Sequence, residues 1–71
     1  EMIKVMPTSE GLDIYTLEGI CHAEVFSADG RLVATIGESG IGLTKIALDC
    51  TGVLIVNISA TSGSRVVKVR R

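Results

Sequence analysis

Few side chains in this chain could do chemistry, and their spacing decides which kind. The single histidine, His22, follows Cys21 and lies two residues before Glu24, with Ser27 and Cys50 as further nucleophile candidates. A metal centre needs three or four converging ligands, and no spacing here supplies them, so His22 reads as an exposed strand histidine. A Ser or Cys nucleophile needs a base within hydrogen-bond reach and a third group to orient it. Ser27 or Cys50 with His22 satisfies the residue types, but nothing in the order of residues brings them together. Gly37-Glu38-Ser39-Gly40-Ile41-Gly42 has glycines spaced like the outer pair of a phosphate loop. Leu43-Thr44 stands where Lys and Ser/Thr are required, and no helix follows to offer its N-terminal amides, so the stretch reads as a flexible connection. The expectation is a non-catalytic chain with no cofactor and no metal.

The remaining chemistry is charge. Residues 1–49 hold three bases against all eight acids, whereas residues 50–71 hold Arg65, Lys68, Arg70 and Arg71 and no acid. Such asymmetry fits an edge that meets an anionic partner. It fits equally a solvated edge strand whose Lys and Arg block edge-to-edge aggregation. Clustered cations could contact phosphates, but single-strand nucleic-acid binders add aromatic stacking platforms. Tyr15 and Phe26 are the only aromatics, so nucleic acid is not expected as a partner. An anionic lipid headgroup and an acidic protein groove fit the same row of cations equally well.

The elements that position these residues are strands. Turn residues recur at short intervals, at Pro7-Thr8-Ser9-Glu10-Gly11, Glu18-Gly19, Ala28-Asp29-Gly30, 37–42, Cys50-Thr51-Gly52 and Thr61-Ser62-Gly63. The segments between them, 2–6, 12–17, 20–27, 31–36, 43–48, 53–59 and 64–70, are too short for helices and rich in Val, Ile and Leu. Alternation places Cys21, Ala23 and Val25 on one face and His22 and Glu24 on the other; Ile46 and Leu48 oppose Lys45, Ala47 and Asp49. In the last segment Val67 and Val69 point inward while Lys68 and Arg70 point outward. Val53 to Val56 is apolar on both faces, the mark of a central strand covered on each side. Asp29-Gly30 between apolar strands signals a tight hairpin flanked by Phe26 and Leu32, with both turn residues at positive φ. The fold class expected is all-β, a small antiparallel β-sandwich of about seven strands.

At 71 residues the chain is one domain, 1–71. Folding at this size buries only about 60% of the unfolded surface. A single core then supplies roughly 3 to 5 kcal/mol, so a neighbouring domain, a second copy or a disulfide is expected to supplement it. Cys21 and Cys50 could pair in an oxidising compartment or remain small buried hydrophobes. No apolar run approaches the roughly 20 residues of a membrane helix, so no transmembrane segment is expected. The chain begins at Glu1 without an initiator Met or a signal-peptide pattern, and reads as a module of a longer protein with upstream domains.

Three blocks carry a family likeness. Val25-Phe26-Ser27-Ala28-Asp29-Gly30-Arg31-Leu32-Val33 matches a strand ending in an aromatic, an Asp-x-x-Gly-like turn and Arg/Lys-Leu-Val. Ile46-Ala47-Leu48-Asp49 and Gly52-Val53-Leu54-Ile55-Val56 match an Ile-Asp-Leu-like strand and a Gly-Val-Tyr-Ile-Val block, with Leu54 in place of the aromatic and Cys50-Thr51 in place of Pro-Ala. Ser62-Gly63-Ser64-Arg65-Val66-Val67-Lys68-Val69-Arg70-Arg71 matches a Gly-containing hairpin and a closing Lys/Val/Arg strand. From about Ala23 onward the chain resembles the C-terminal sorting domain of proteins exported by the type IX (Por) secretion system of Bacteroidota. The resemblance implies an immunoglobulin-like sandwich that serves as a sorting signal, passing through the periplasm to the outer membrane and cell surface. Its partners would be the outer-membrane translocon and a sortase-like protease that removes the domain and attaches the cargo to lipopolysaccharide. Lys68, Val69, Arg70 and Arg71 would be the recognition segment, with Lys68, Arg70 and Arg71 unengaged, and Asp29, Gly30, Gly52, Val53 and Gly63 the structural motif.

Two other readings stand beside it. Some surface components of the same machinery keep a similar domain as a structural piece. An accessory adhesion or carbohydrate-binding module is the other, although sugar-binding sandwiches generally expose aromatics for stacking. Open edges of a small sandwich also allow a homodimer by strand exchange.

Overall fold

Apolar residues at every second position leave one greasy face on each segment, and a sheet can bury that face only against another sheet. The computed structural model describes residues 3–71 and shows this arrangement: β1 (Ile3–Pro7), β2 (Gly11–Thr16), β3 (Ile20–Ser27), β4 (Leu32–Ile36), β5 (Gly42–Ala47), β6 (Val53–Ala60) and β7 (Gly63–Arg70). The expected start of the first strand at Met2 lies outside the described residues. One sheet has the order β1-β2-β5 and the other β4-β3-β6-β7, with every pairing antiparallel. In the constant-type immunoglobulin order the fourth strand pairs with the fifth. Here β4 pairs with β3 instead, which widens the second sheet to four strands. The protein is a small antiparallel β-sandwich.

Leu12 and Ile14 of β2 face Ala23 and Val25 of β3 and Leu54, Val56 and Ile58 of β6, and all seven are shut off from solvent. Ile3, Ile20, Ile46, Leu48 and Ala60 close the same cluster. Each buried Val, Leu or Ile side chain contributes about 1.5–3 kcal/mol, so the core is what holds the sheets together. Ile46 and Leu48 point in, and Lys45, Ala47 and Asp49 point out, as alternation requires. The expected two-sided cover of Val53 to Val56 is one-sided. Leu54 and Val56 are sealed in, whereas Val53 and Ile55 lie on the outer face of β6, where Ile55 is flanked in register by Phe26 and Lys68.

Two local expectations need correction. Cys21 does not share the face of Ala23 and Val25: the β3–β6 register slips between Ile20 and His22, and Cys21 is exposed. An extra residue in one strand turns the side chains before it over, so Ile20 keeps the core position that strict alternation gave to Cys21. The β3–β4 turn does pair Phe26 with Leu32, but only Gly30 takes a positive φ, at 90°. The loop closes through Gly30 N–H to the Ser27 carbonyl at 2.9 Å and Ser27 N–H to the Arg31 carbonyl at 2.8 Å. A loop of this length needs one left-handed residue and not two, so Asp29 keeps ordinary dihedrals.

Candidate functional site

β7 is the strand that displays the basic residues, and alternation sets their direction. Val67 and Val69 turn inward and are half-buried, while Lys68 and Arg70 are exposed. Across the outer face Lys68 stands opposite Ile55, which is opposite Phe26, which is opposite Leu32; Arg70 stands opposite Val53. The two cations thus border an apolar strip on a strand whose second edge carries no ladder among the described residues. No residue of β7 is fully buried, so apolar packing alone holds this strand weakly.

Its two ends are fastened by polar groups. At the hairpin end the Glu18 carboxylate accepts the Thr61 hydroxyl at 2.8 Å, the Ser62 backbone N–H at 2.8 Å and the Ser62 hydroxyl at 2.9 Å. Those hydrogen bonds, with help from the positive charge of Arg65, hold the Glu18 carboxyl below its usual value. The Glu18 carbonyl in turn accepts the buried Thr16 hydroxyl at 2.6 Å. At the other end the Arg71 backbone exchanges both hydrogen bonds with Gly52, at 2.8 and 2.9 Å. Gly52 can do so because it takes φ 98°, a conformation that L side chains rarely adopt.

The Arg71 side chain is the main correction to the expected recognition segment. It is engaged: its Nε–H donates to the Gly11 carbonyl at 3.3 Å and its two terminal nitrogens donate to the Cys50 carbonyl at 2.6 Å and the Ser9 carbonyl at 2.9 Å. A half-buried guanidinium with five donors satisfies itself on whatever carbonyls lie nearest, and three lie at this corner. Lys68 and Arg70 therefore carry the outward charge, Val69 is turned in, and Arg71 closes the corner.

The residues expected to frame the strands lie at the turns. Gly30 and Gly63 both take positive φ, at 90° and 136°, and Val53 opens β6 opposite Arg70. Asp29 accepts the Ser27 hydroxyl and, weakly, the Arg31 N–H, and these contacts lower its carboxyl below the usual range. Ser39 in the 37–42 stretch exchanges backbone hydrogen bonds with Ile20 at 2.9 Å, and its hydroxyl meets that of Thr44 at 2.7 Å, so this connection is tied down.

The nucleophile candidates stay apart. Cys21 lies beside the end of β6 and Cys50 just before its start, so roughly 25 Å of strand separates them, against a Cα separation of at most about 7 Å for a disulfide. Both are free thiols. Cys21 borders a depression of about 370 Å³ with Ile20, Glu38, Ser39 and Thr61. His22 is exposed on the outer face of β3, in register with Ser59. Among the described residues no three His, Cys, Asp or Glu side chains converge. Tyr15 is exposed between Lys4 and Leu43 on the outer face of the three-stranded sheet.

Sequence reasoning missed Glu18, the Arg71 contacts and the packing of Gly11. Glu18 lies forty-three residues from Thr61 and carries no local signal beyond its place before Gly19. Gly11 reads as a turn residue, but its backbone lies so close to β5 that a Cβ would fall 1.8 Å from the Ile46 carbonyl oxygen. No protein-family model matches the chain, and a search of curated proteins returns no relative.

Proposed function

We propose that this module is a type IX sorting signal, a non-catalytic domain that the outer-membrane translocon recognises so that an upstream cargo crosses the periplasm and reaches the cell surface. What supports the reading is the split along β7, where Val67 and Val69 turn into the sandwich and the Lys68 and Arg70 side chains stand exposed on its outer face. Two like charges on one exposed edge strand favour encounter with an acidic surface and add little to stability. The open edge of β7 offers backbone hydrogen bonds to the same partner. The three sequence blocks that carry the family likeness fall on the β3–β4 hairpin, on β5–β6 and on β7, in that order.

The test is a secreted reporter fused ahead of residue 1 in a host with the export apparatus. Removing residues 68–71 is a poor probe, because it also takes away Arg71. The double reversal Lys68→Glu with Arg70→Glu leaves the internal contacts in place. It is expected to keep the wild-type melting temperature and to leave the reporter in the periplasm. Normal surface delivery of that variant would overturn the reading and favour a retained structural sandwich.

A further inference from the structure

We propose that the carbonyl oxygens of Ser9, Gly11 and Cys50 form a guanidinium-binding site, filled in cis by the side chain of Arg71. Three acceptors from two chain segments almost forty residues apart converge on one planar cation, at 2.9, 3.3 and 2.6 Å. All three are neutral backbone groups. Selection therefore rests on the directions of the donors, and the guanidinium fork presents donors that the compact ammonium of lysine cannot reproduce.

The Ser9 and Gly11 half of the site is built independently of its occupant. Thr8 N–H donates to the Gly11 carbonyl at 2.8 Å, leaving that oxygen one lone pair for Arg71. The Thr8 hydroxyl accepts Gly11 N–H at 3.0 Å and Glu10 N–H at 3.3 Å. Leu48 N–H donates to the Glu10 carbonyl at 2.9 Å and ties the β1–β2 turn to the segment after β5. The close approach of Gly11 to the Ile46 carbonyl fixes the same corner from the side. None of these contacts involves the Arg71 side chain, so removing it leaves the Ser9 and Gly11 acceptors in place, while the backbone bonds between Arg71 and Gly52 remain available to hold the Cys50 side.

This assigns Arg71 to positioning. Three of its five N–H donors are used within the chain, so a partner carboxylate seeking the Nε edge of the fork would have to displace the Gly11 carbonyl and one of its neighbours. Only that consequence rests on the sorting-signal reading; the site itself does not.

The experiment is a titration of ¹⁵N-labelled Arg71→Ala with guanidinium chloride at low millimolar concentration, against sodium chloride and urea. The expected result is a saturable shift of the amides of residues 9–11 and 50–52, with a rise in melting temperature, and neither response in the wild type. No saturable response, an equal response in the wild type, or an equal response to sodium chloride or urea would overturn the proposal. Should Arg71→Ala not fold, Arg71→Lys takes its place as host, and Arg71→Lys as stable as the wild type would also overturn it. In the reporter assay Arg71→Lys is expected to export normally; loss of export there with intact guanidinium rescue counts against Lys68 and Arg70 as the recognition pair and leaves the site standing.

Discussion

The Glu18 carboxylate caps the turn that starts β7 by taking both the backbone N–H and the hydroxyl of Ser62, at 2.8 and 2.9 Å. Arg71 fastens the far end of the same strand to three carbonyls. A strand with no fully buried residue is thus held by its ladder to β6 and by one polar clasp at each end. The two clasps differ in one respect that matters experimentally: a carboxylate titrates in acid, whereas a guanidinium and backbone carbonyls do not.

That difference predicts a directional response to pH. Glu18 has a lower pKa folded than unfolded, so near the ordinary carboxylate range the unfolded chain binds more protons. Its contribution is complete above the unfolded value and is lost as pH falls through the folded one. Melting temperature is expected to fall on acidification, and Glu18→Gln is expected to flatten part of that acid limb, with Asp29 acting in the same direction. Superimposable pH profiles for wild type and Glu18→Gln would refute the assignment.

Loss of the acid clasp also has an expected location. In Glu18→Ala the amides of residues 61–65 should exchange with solvent faster than in the wild type, while those of β2, β3 and the first half of β6 keep their protection. Amides at the end of β7 report on the other clasp. In Arg71→Ala the protection should drop near Gly52 and Val69, with a stability loss of about 1–3 kcal/mol for breaking charge-assisted hydrogen bonds. Hydrogen exchange read residue by residue separates the two.

Much of this architecture is legible because alternation and turn residues are local signals. Residues 20–27 form the expected strand, and Val67, Lys68, Val69 and Arg70 face the expected ways. The failures share a cause. Cys21 faces out because of a bulge set by its pairing with β6, and Glu18, Gly11 and Arg71 acquire their roles from segments distant in sequence. Periodicity along one strand carries no information about which carbonyl another strand brings beside it. The basic segment 65–71 was recognisable as a cluster, but its division into displayed and engaged cations depends on that missing third dimension.

The two thiols give a prediction about redox state. Because the length of β6 lies between them, no intramolecular disulfide forms, and melting temperature is expected to be the same with and without reductant. An exposed thiol reacts faster than a half-buried one. A thiol-specific chromogenic reagent should therefore label Cys21 well before Cys50, with mass spectrometry assigning the order. Equal rates, or an intramolecular bridge after mild oxidation, would contradict the placement of these residues.

The glycines offer the sharpest contrast between positions that look alike in the sequence. At Gly11 an added Cβ would meet the Ile46 carbonyl oxygen at 1.8 Å and the Leu48 nitrogen at 2.8 Å, both backbone atoms with no room to yield. Gly11→Ala is therefore expected to cost more than about 4 kcal/mol, the range reserved for gross steric or packing failures, and to leave this small domain unfolded. Gly37 and Gly40 have nothing within 4 Å of the same position and no positive φ. Alanine at either removes backbone freedom from the unfolded chain at no steric cost, which stabilises by about 0.4–1 kcal/mol. Chemical denaturation of the three variants checks the contrast: a folded Gly11→Ala would mean that β2 and β5 do not meet at this corner as described, and a collapse at Gly37→Ala would mean that the space around Gly37 is not open.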